Sequence, residues 1–128
     1  AETSYAIIKD SEIMGISHKE RGMIATIVQN SYPNNISYDR FKSLEFDSRD
    51  EITMIKLTAI LRVATGLAKN TEKTIRDLSA QLKDKELTIK VTTKDRMLLE
   101  KGLFSERNDT FEEVFGVTPK LLIKRVNA

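Results

Sequence analysis

The longest apolar stretch of the chain, Ile52 to Leu67, carries only two charged side chains, Lys56 and Arg62. Ile52, Ile55, Ala59, Ile60, Val63, Ala64 and Leu67 recur at helical spacing on one face, and Leu57 and Leu61 widen it. A helix apolar over so much of its circumference belongs at the centre of a bundle. Ser48-Arg49-Asp50-Glu51 ahead of it has the form of a capping box, with Ser at the N-cap and an acid three residues later. Gly66 near its end costs up to about 1 kcal/mol relative to alanine unless a neighbour packs closely there.

Shorter elements surround this one. Residues 3–14 keep a helical period, and Gly15 stands where a left-handed stop belongs. Ser17-His18-Lys19-Glu20 is another capping box and opens a helix over about 18–31, with Met23, Ile24, Ile27 and Val28 inward. Tyr32-Pro33-Asn34-Asn35 breaks it, and Ser37 caps a short helix with Tyr38, Phe41 and Leu44. Beyond residue 73 the period changes. Leu78, Ala80 and Leu82 alternate, as do Leu87, Ile89 and Val91, around the charged turn Lys83-Asp84-Lys85-Glu86. That pattern predicts a β-hairpin; the rival is a helix through Ile75, Leu78 and Leu82. Helical spacing returns over 95–115 (Leu98, Leu99, Leu103, Phe111, Val114, Phe115), interrupted near Arg107-Asn108-Asp109 and ended by Gly116. Leu121 and Ile123 suggest a third strand. The expected class is α+β, mainly α: a helical bundle over 1–72, then a β-β-α-β unit over 73–128 packed on it.

Several function classes drop out. No cysteine is present, so disulfides and thiolate metal sites are excluded and a reducing, cytoplasmic setting fits. The lone histidine, His18, removes sites built on two or more imidazoles. No run of 18 apolar residues or signal-peptide pattern occurs, so no membrane role is expected. Lys/Arg and Asp/Glu balance at nine each over residues 1–70 and at twelve against ten over 71–128, so no footprint for nucleic acid is visible. The chain opens at Ala1 inside a helical pattern, as a piece of a longer protein would.

Candidate chemistry is sparse. His18 lies in a capping loop, the five glycines are scattered rather than gathered into a phosphate loop, and Asp47/Asp50/Glu51 and Glu112/Glu113 suit helix first turns and solvated faces. No residue is assigned as catalytic or as a metal ligand. Arg62 is the exception to this blandness. A guanidinium in the most apolar helix must either be paired internally or face an anion, because stranding its charge costs several kcal/mol. Arg21, Arg62, Lys69 and Lys73 are the candidate anion contacts.

Three segments carry a family resemblance. Ser4-Tyr5-Ala6-Ile7-Ile8-Lys9-Asp10-Ser11-Glu12-Ile13-Met14-Gly15-Ile16-Ser17 is similar to the histidine-led S-x-Y-x-I-x-N-S-x-x-x-G-x-S of Ppx/GppA phosphatases. Leu57-Thr58-Ala59-Ile60-Leu61-Arg62-Val63-Ala64 resembles their L-x-A-I-L-R-I-A-D-A-L-D, and Phe111-Glu112-Glu113-Val114-Phe115-Gly116 their F-E-x-x-F-G. The resemblance implies the HD-like C-terminal region of an exopolyphosphatase whose parent hydrolyses polyphosphate or guanosine pentaphosphate. It implies that the active site and its divalent metal (Mg) belong to N-terminal actin-like domains. It further implies that this region helps bind polyphosphate or form a homodimer; a purely structural dimerisation module is the alternative. The chain departs from the pattern where the family carries aspartates and histidines: Thr65 and Ala68, Thr3 and Ser31 stand there. An HD-type hydrolase needs such ligands to activate water, so this region alone is expected to hold no cofactor and no hydrolytic centre.

Overall fold

The computed structural model describes residues 2–32, 36–68 and 75–126, apart from the side chains of Leu98 and Leu99. In chain order these form α1 (Glu2–Asp10), α2 (His18–Gln29), a 3₁₀ turn (Tyr38–Phe41), α3 (Ser48–Leu67), β1 (Ile75–Lys83), β2 (Glu86–Thr93), α4 (Leu98–Arg107), α5 (Asp109–Phe115) and β3 (Thr118–Arg125). The class is α+β and mainly α. The chain divides into two compact units, residues 1–62 and 63–128. No described helix is long and apolar enough to cross a membrane.

In the first unit, polar side chains set the helix ends. Ser11 closes α1, its hydroxyl donating to the Ile7 carbonyl, so the helix stops at Asp10 rather than running to Met14. Gly15 does adopt a left-handed φ of 83°, but in the loop that follows, not at the helix end. The Ser17 box forms as its sequence predicts: the Ser17 N–H donates to Glu20 Oε1 and the Glu20 N–H to Ser17 Oγ, each at 3.1 Å. Ahead of α3 the box is shifted by one residue. Asp47 and Asp50, not Ser48 and Glu51, exchange the reciprocal bonds, at 3.1 and 2.8 Å. Aspartate is as good an N-cap as serine, and its charge also complements the helix dipole. Lys19 then reaches Asp50 at 2.8 Å, tying the first turns of α2 and α3.

These caps are acid-sensitive. Bonds from the Ser17 amide and its hydroxyl hold the Glu20 carboxyl below its usual range, and the Lys19 ammonium does the same for Asp50. The unfolded chain therefore binds more protons at these groups than the folded one. Their contribution is present above the ordinary carboxylate range and is lost as pH falls through the lowered folded values. Urea midpoints should drop as pH falls below about 4.5, and a Glu20→Gln/Asp50→Asn variant should show a shallower fall. Removing the cap oxygen with Ser17→Ala should cost about 1 kcal/mol at neutral pH.

The core of this unit is Ile27, Phe41 and Met54, with Met23, Ile36, Phe46, Ile55 and Leu61 around it. The phase of α3 differs from the expected one. Met54, Thr58 and Arg62, spaced four apart, are all 0% exposed, whereas Ile52, Ile60 and Ala64 are turned outward. Ile55, Ala59, Val63 and Leu67 do face inward as predicted. Burial of Arg62 explains the shift, because a guanidinium taken out of water must point at its acceptor.

The second unit is a three-stranded sheet in the order β1-β2-β3. β1 and β2 form the predicted antiparallel hairpin, Lys83↔Glu86 flanking a turn in which Asp84 has φ 52°. The helical rival over Ile75–Leu82 is therefore set aside. β3 runs parallel to β2, since α4 and α5 return the chain to the start of β2. The interruption expected near Arg107-Asn108-Asp109 falls at Asn108 and parts the helical stretch in two, so the unit is β-β-α-α-β rather than β-β-α-β. Gly116 adopts φ 65° and its N–H closes on Glu112 O at 2.8 Å, while Phe111 and Phe115 stack at 4.6 Å between centroids. The core is Val63, Leu67, Ile89, Val91, Met97 and Phe104, with Leu87, Phe111, Leu121 and Ile123 packed against it. A Cβ on Gly66 would stand 3.4 Å from the Phe104 amide nitrogen. That is close to ordinary van der Waals contact, so α4 packs near this end of α3 at a spacing that leaves a methyl group little room to spare.

Candidate functional site

Within the first unit, α1, α2 and the 40–46 segment enclose a cleft of about 320 Å³. Its ionic wall is Lys9, Arg40, Lys42 and Glu45, and Tyr5 and Ser43 add hydroxyls. Three cations against one carboxylate leave a surplus of two positive charges (3 − 1). Tyr5 and Lys9 reach the same wall because residues four apart share a helix face. Gly22 makes room for the lysine: its missing Cβ would lie 3.2 Å from Lys9 Nζ and 3.6 Å from Glu45 Oε2.

A chain of polar contacts frames the cleft. Lys9 Nζ lies 3.8 Å from Glu45 Oε2, and His18 Nε2 lies 3.6 Å from Glu45 Oε1. Arg21 Nη2 meets His18 Nδ1 at 2.9 Å, and Arg21 Nη1 donates to the Ser11 carbonyl. An arginine can only donate, so His18 Nδ1 accepts and its ring proton sits on Nε2, facing Glu45. His18 is in this way a connector between a cation and an acid. Lys42 keeps a long ion pair with Asp39 at 3.5 Å, both side chains well exposed, and such a pair is readily exchanged for another anion.

The four residues singled out in the sequence fare differently. Arg21 is not in the lining of the cleft; it is joined to Glu45 of the cleft wall only through His18. Arg62 is 0% exposed, the largest fully buried side chain among the described residues. Its Nη1 donates to the Asn30 carbonyl at 3.2 Å, where Asn30 caps the C-terminus of α2. A cation there complements the negative end of the helix dipole. Lys69 and Lys73 lie outside the described residues. Lys9, Arg40 and Lys42 carry no mark in the sequence that sets them apart from other surface cations. The i, i+4 pairing of Tyr5 with Lys9 is a readable hint, but nothing local places the 40–46 segment beside it.

Among the described residues no group of three or more His, Asp or Glu is arranged so that it could hold a metal ion. At two of the positions where the resemblance leads one to expect ligands, Ser31 Oγ donates to the Ile27 carbonyl and Thr65 Oγ1 accepts from Arg107 Nη1 at 3.0 Å. Neutral hydroxyls committed to protein partners do not fit a water-activating divalent metal.

The family model described as Ppx/GppA phosphatase, domain III, matches residues 2–110. The chain belongs to the Ppx/GppA phosphatase family. Domain III is one part of a multi-domain protein in this family, and the match runs through both units, from α1 into α5. A search of curated proteins gives no significant match. Two of the three segments that carry the resemblance, residues 4–17 and 57–64, lie inside the matched region, and the third, Phe111–Gly116, follows directly after its end.

Proposed function

We propose that this domain III is a non-catalytic, anion-guiding part of an exopolyphosphatase-type enzyme. Hydrolysis, with its divalent metal, would belong to N-terminal actin-like domains of the same protein. The observation that carries the reading is the cleft lined by Lys9, Arg40 and Lys42 with Glu45 as the single carboxylate of its wall.

The chemistry of that wall suits a chain of phosphates. The planar fork of Arg40 can take two oxygens of one phosphate, while Lys9 and Lys42 act as mobile point charges. Tyr5 and Ser43 offer neutral donors between them. Polyphosphate condenses counterions as other polyanions do, and each cation that replaces them releases ions to solution. Binding would then position a long substrate without touching the bond that breaks.

The test is binding of inorganic polyphosphate to the 128-residue chain. Affinity should be measurable at about 50 mM salt and should fall steeply towards about 200 mM. Absence of binding at the lower salt would overturn the reading. Guanosine pentaphosphate as competitor tells whether the cleft prefers a long inorganic chain or a short phosphorylated nucleotide.

A further inference from the structure

We propose that the face of the three-stranded sheet turned away from its core docks an acidic, extended segment of another protein, with carboxylates at every second residue. The inference stands apart from the polyphosphate reading, which rests on residues of the other unit.

Strand alternation creates the face. Leu87, Ile89 and Val91 of β2 belong to the core or pack against it, so Glu86, Thr88, Lys90 and Thr92 point the opposite way. The neighbouring strands follow in register. Lys83 and Asp77 of β1 stand beside Glu86 and Thr92, and Lys120 and Lys124 of β3 stand beside Thr88 and Thr92. Lys83, Lys90, Lys120 and Lys124 are all exposed. Four lysines against Asp77 and Glu86 leave a surplus of two positive charges (4 − 2). At the hairpin end the face hollows into a concavity of about 530 Å³, where Lys85 and Asp84 of the turn add one charge of each sign. Glu86 pairs with Lys120 at 3.0 Å, both about half exposed, and such a surface pair is readily exchanged for another anion.

The spacing of the cations selects the occupant. Lys120, Lys90 and Lys124 fall in three successive rows across β2 and β3, Lys120 beside Thr88, Lys90 beside Leu122 and Lys124 beside Thr92. Each row is a two-residue step, about 6.6 Å along the strands. An extended peptide repeats its same-side side chains at that step. Carboxylates at i, i+2 and i+4 would therefore each meet one lysine. Leu122, 56% exposed between Lys120 and Lys124, offers the methylene stems of glutamates an apolar floor.

Other polyanions fit the face less well. Among the described residues paired across it there is no aromatic side chain and no arginine. Bases find nothing to stack on, and phosphates find no planar fork. A nucleic-acid duplex carries a charge about every 3.4 Å along each strand, half the row step. A bilayer of anionic headgroups would press on Asp77 and Glu86 together with the lysines. A single strand laid over the three rows leaves Glu86 beyond its end and Asp77 to one side.

Titration of a labelled peptide with the whole chain tests this, the peptide carrying three glutamates at alternate positions with threonines between. Fluorescence anisotropy should show saturable binding at about 50 mM salt. A peptide of the same composition with its glutamates adjacent should bind about tenfold more weakly, because charge complementarity fixes register. Lys90→Glu should weaken the alternating peptide about tenfold or more by setting like charges together; Lys90→Gln should weaken it less. An RNA oligonucleotide of equal charge and phosphatidylserine vesicles should both bind less tightly than the alternating peptide. No binding at that salt, equal binding of the two peptides, indifference to Lys90→Glu, or tighter binding of the RNA or the vesicles would each defeat the proposal. Loss of peptide binding in a Lys9→Ala/Arg40→Ala/Lys42→Ala chain would place the peptide in the cleft and end it likewise, so the two readings fail separately.

Discussion

Replacing Arg62 by alanine should remove about 3 kcal/mol of stability, a loss of roughly 10 °C in melting temperature for a domain of this size. Three effects add. The largest fully buried side chain among the described residues becomes a methyl group and leaves a cavity. The Asn30 carbonyl loses its charged donor at the end of α2. The phase of α3, set by Met54, Thr58 and Arg62 in one row, loses its polar anchor. Arg62→Met separates packing from charge, because it keeps most of the volume and buries no cation. Replacing a buried charge by an apolar side chain of similar size is often close to neutral, so this variant should lose far less than alanine in thermal melts followed by circular dichroism. It also separates structure from binding. A folded Arg62→Met chain should keep its polyphosphate affinity; a clear loss would return Arg62 to the anion contacts.

The behaviour of Arg62 shows where sequence reading reaches and where it ends. The element types are legible because each rests on a local rule. The Ser17 box, the period change at the hairpin, the charged turn at 83–86 and the stop at Gly116 all depend on neighbours within a few residues. The facing of α3 is not legible. An apolar helix offers several nearly equal faces, and a partner thirty-two positions away, the Asn30 carbonyl, chooses among them. The box before α3 slips by one residue because Asp47 and Ser48 are both good caps and the sequence holds no tie-breaker. The same limit hides the cleft. Lys9 comes from α1 and Arg40 and Lys42 from a segment about thirty residues later, whose Phe41 and Phe46 pack in the core of the unit, and no local rule reports such a long-range meeting. Counting charge over whole stretches averages such a patch away. Arg21 lies in the helix that the Ser17 cap opens, and the structure joins it through His18 to Glu45 without bringing it into the lining of the cleft.

Removing the three cations together, as Lys9→Ala/Arg40→Ala/Lys42→Ala, should lower polyphosphate affinity by about 100-fold at about 50 mM salt. The more specific expectation is the salt dependence. Each phosphate neutralised contributes roughly 0.7 to the slope of log affinity against log salt for a single-stranded polyanion, so losing three contacts should flatten the slope by about two. Stability should barely move, since exposed or half-buried surface side chains usually count for less than about 0.5 kcal/mol each. Arg40→Lys keeps the charge and loses the two-pronged geometry. It should leave the slope unchanged and weaken binding only a few-fold. That contrast matters for mechanism. A cleft that works by charge alone accepts any polyanion and serves to gather substrate, whereas one that needs the Arg40 fork holds a phosphate in a defined place. Affinity lost with the slope intact in the triple variant would mean that the phosphates are bound elsewhere on the domain.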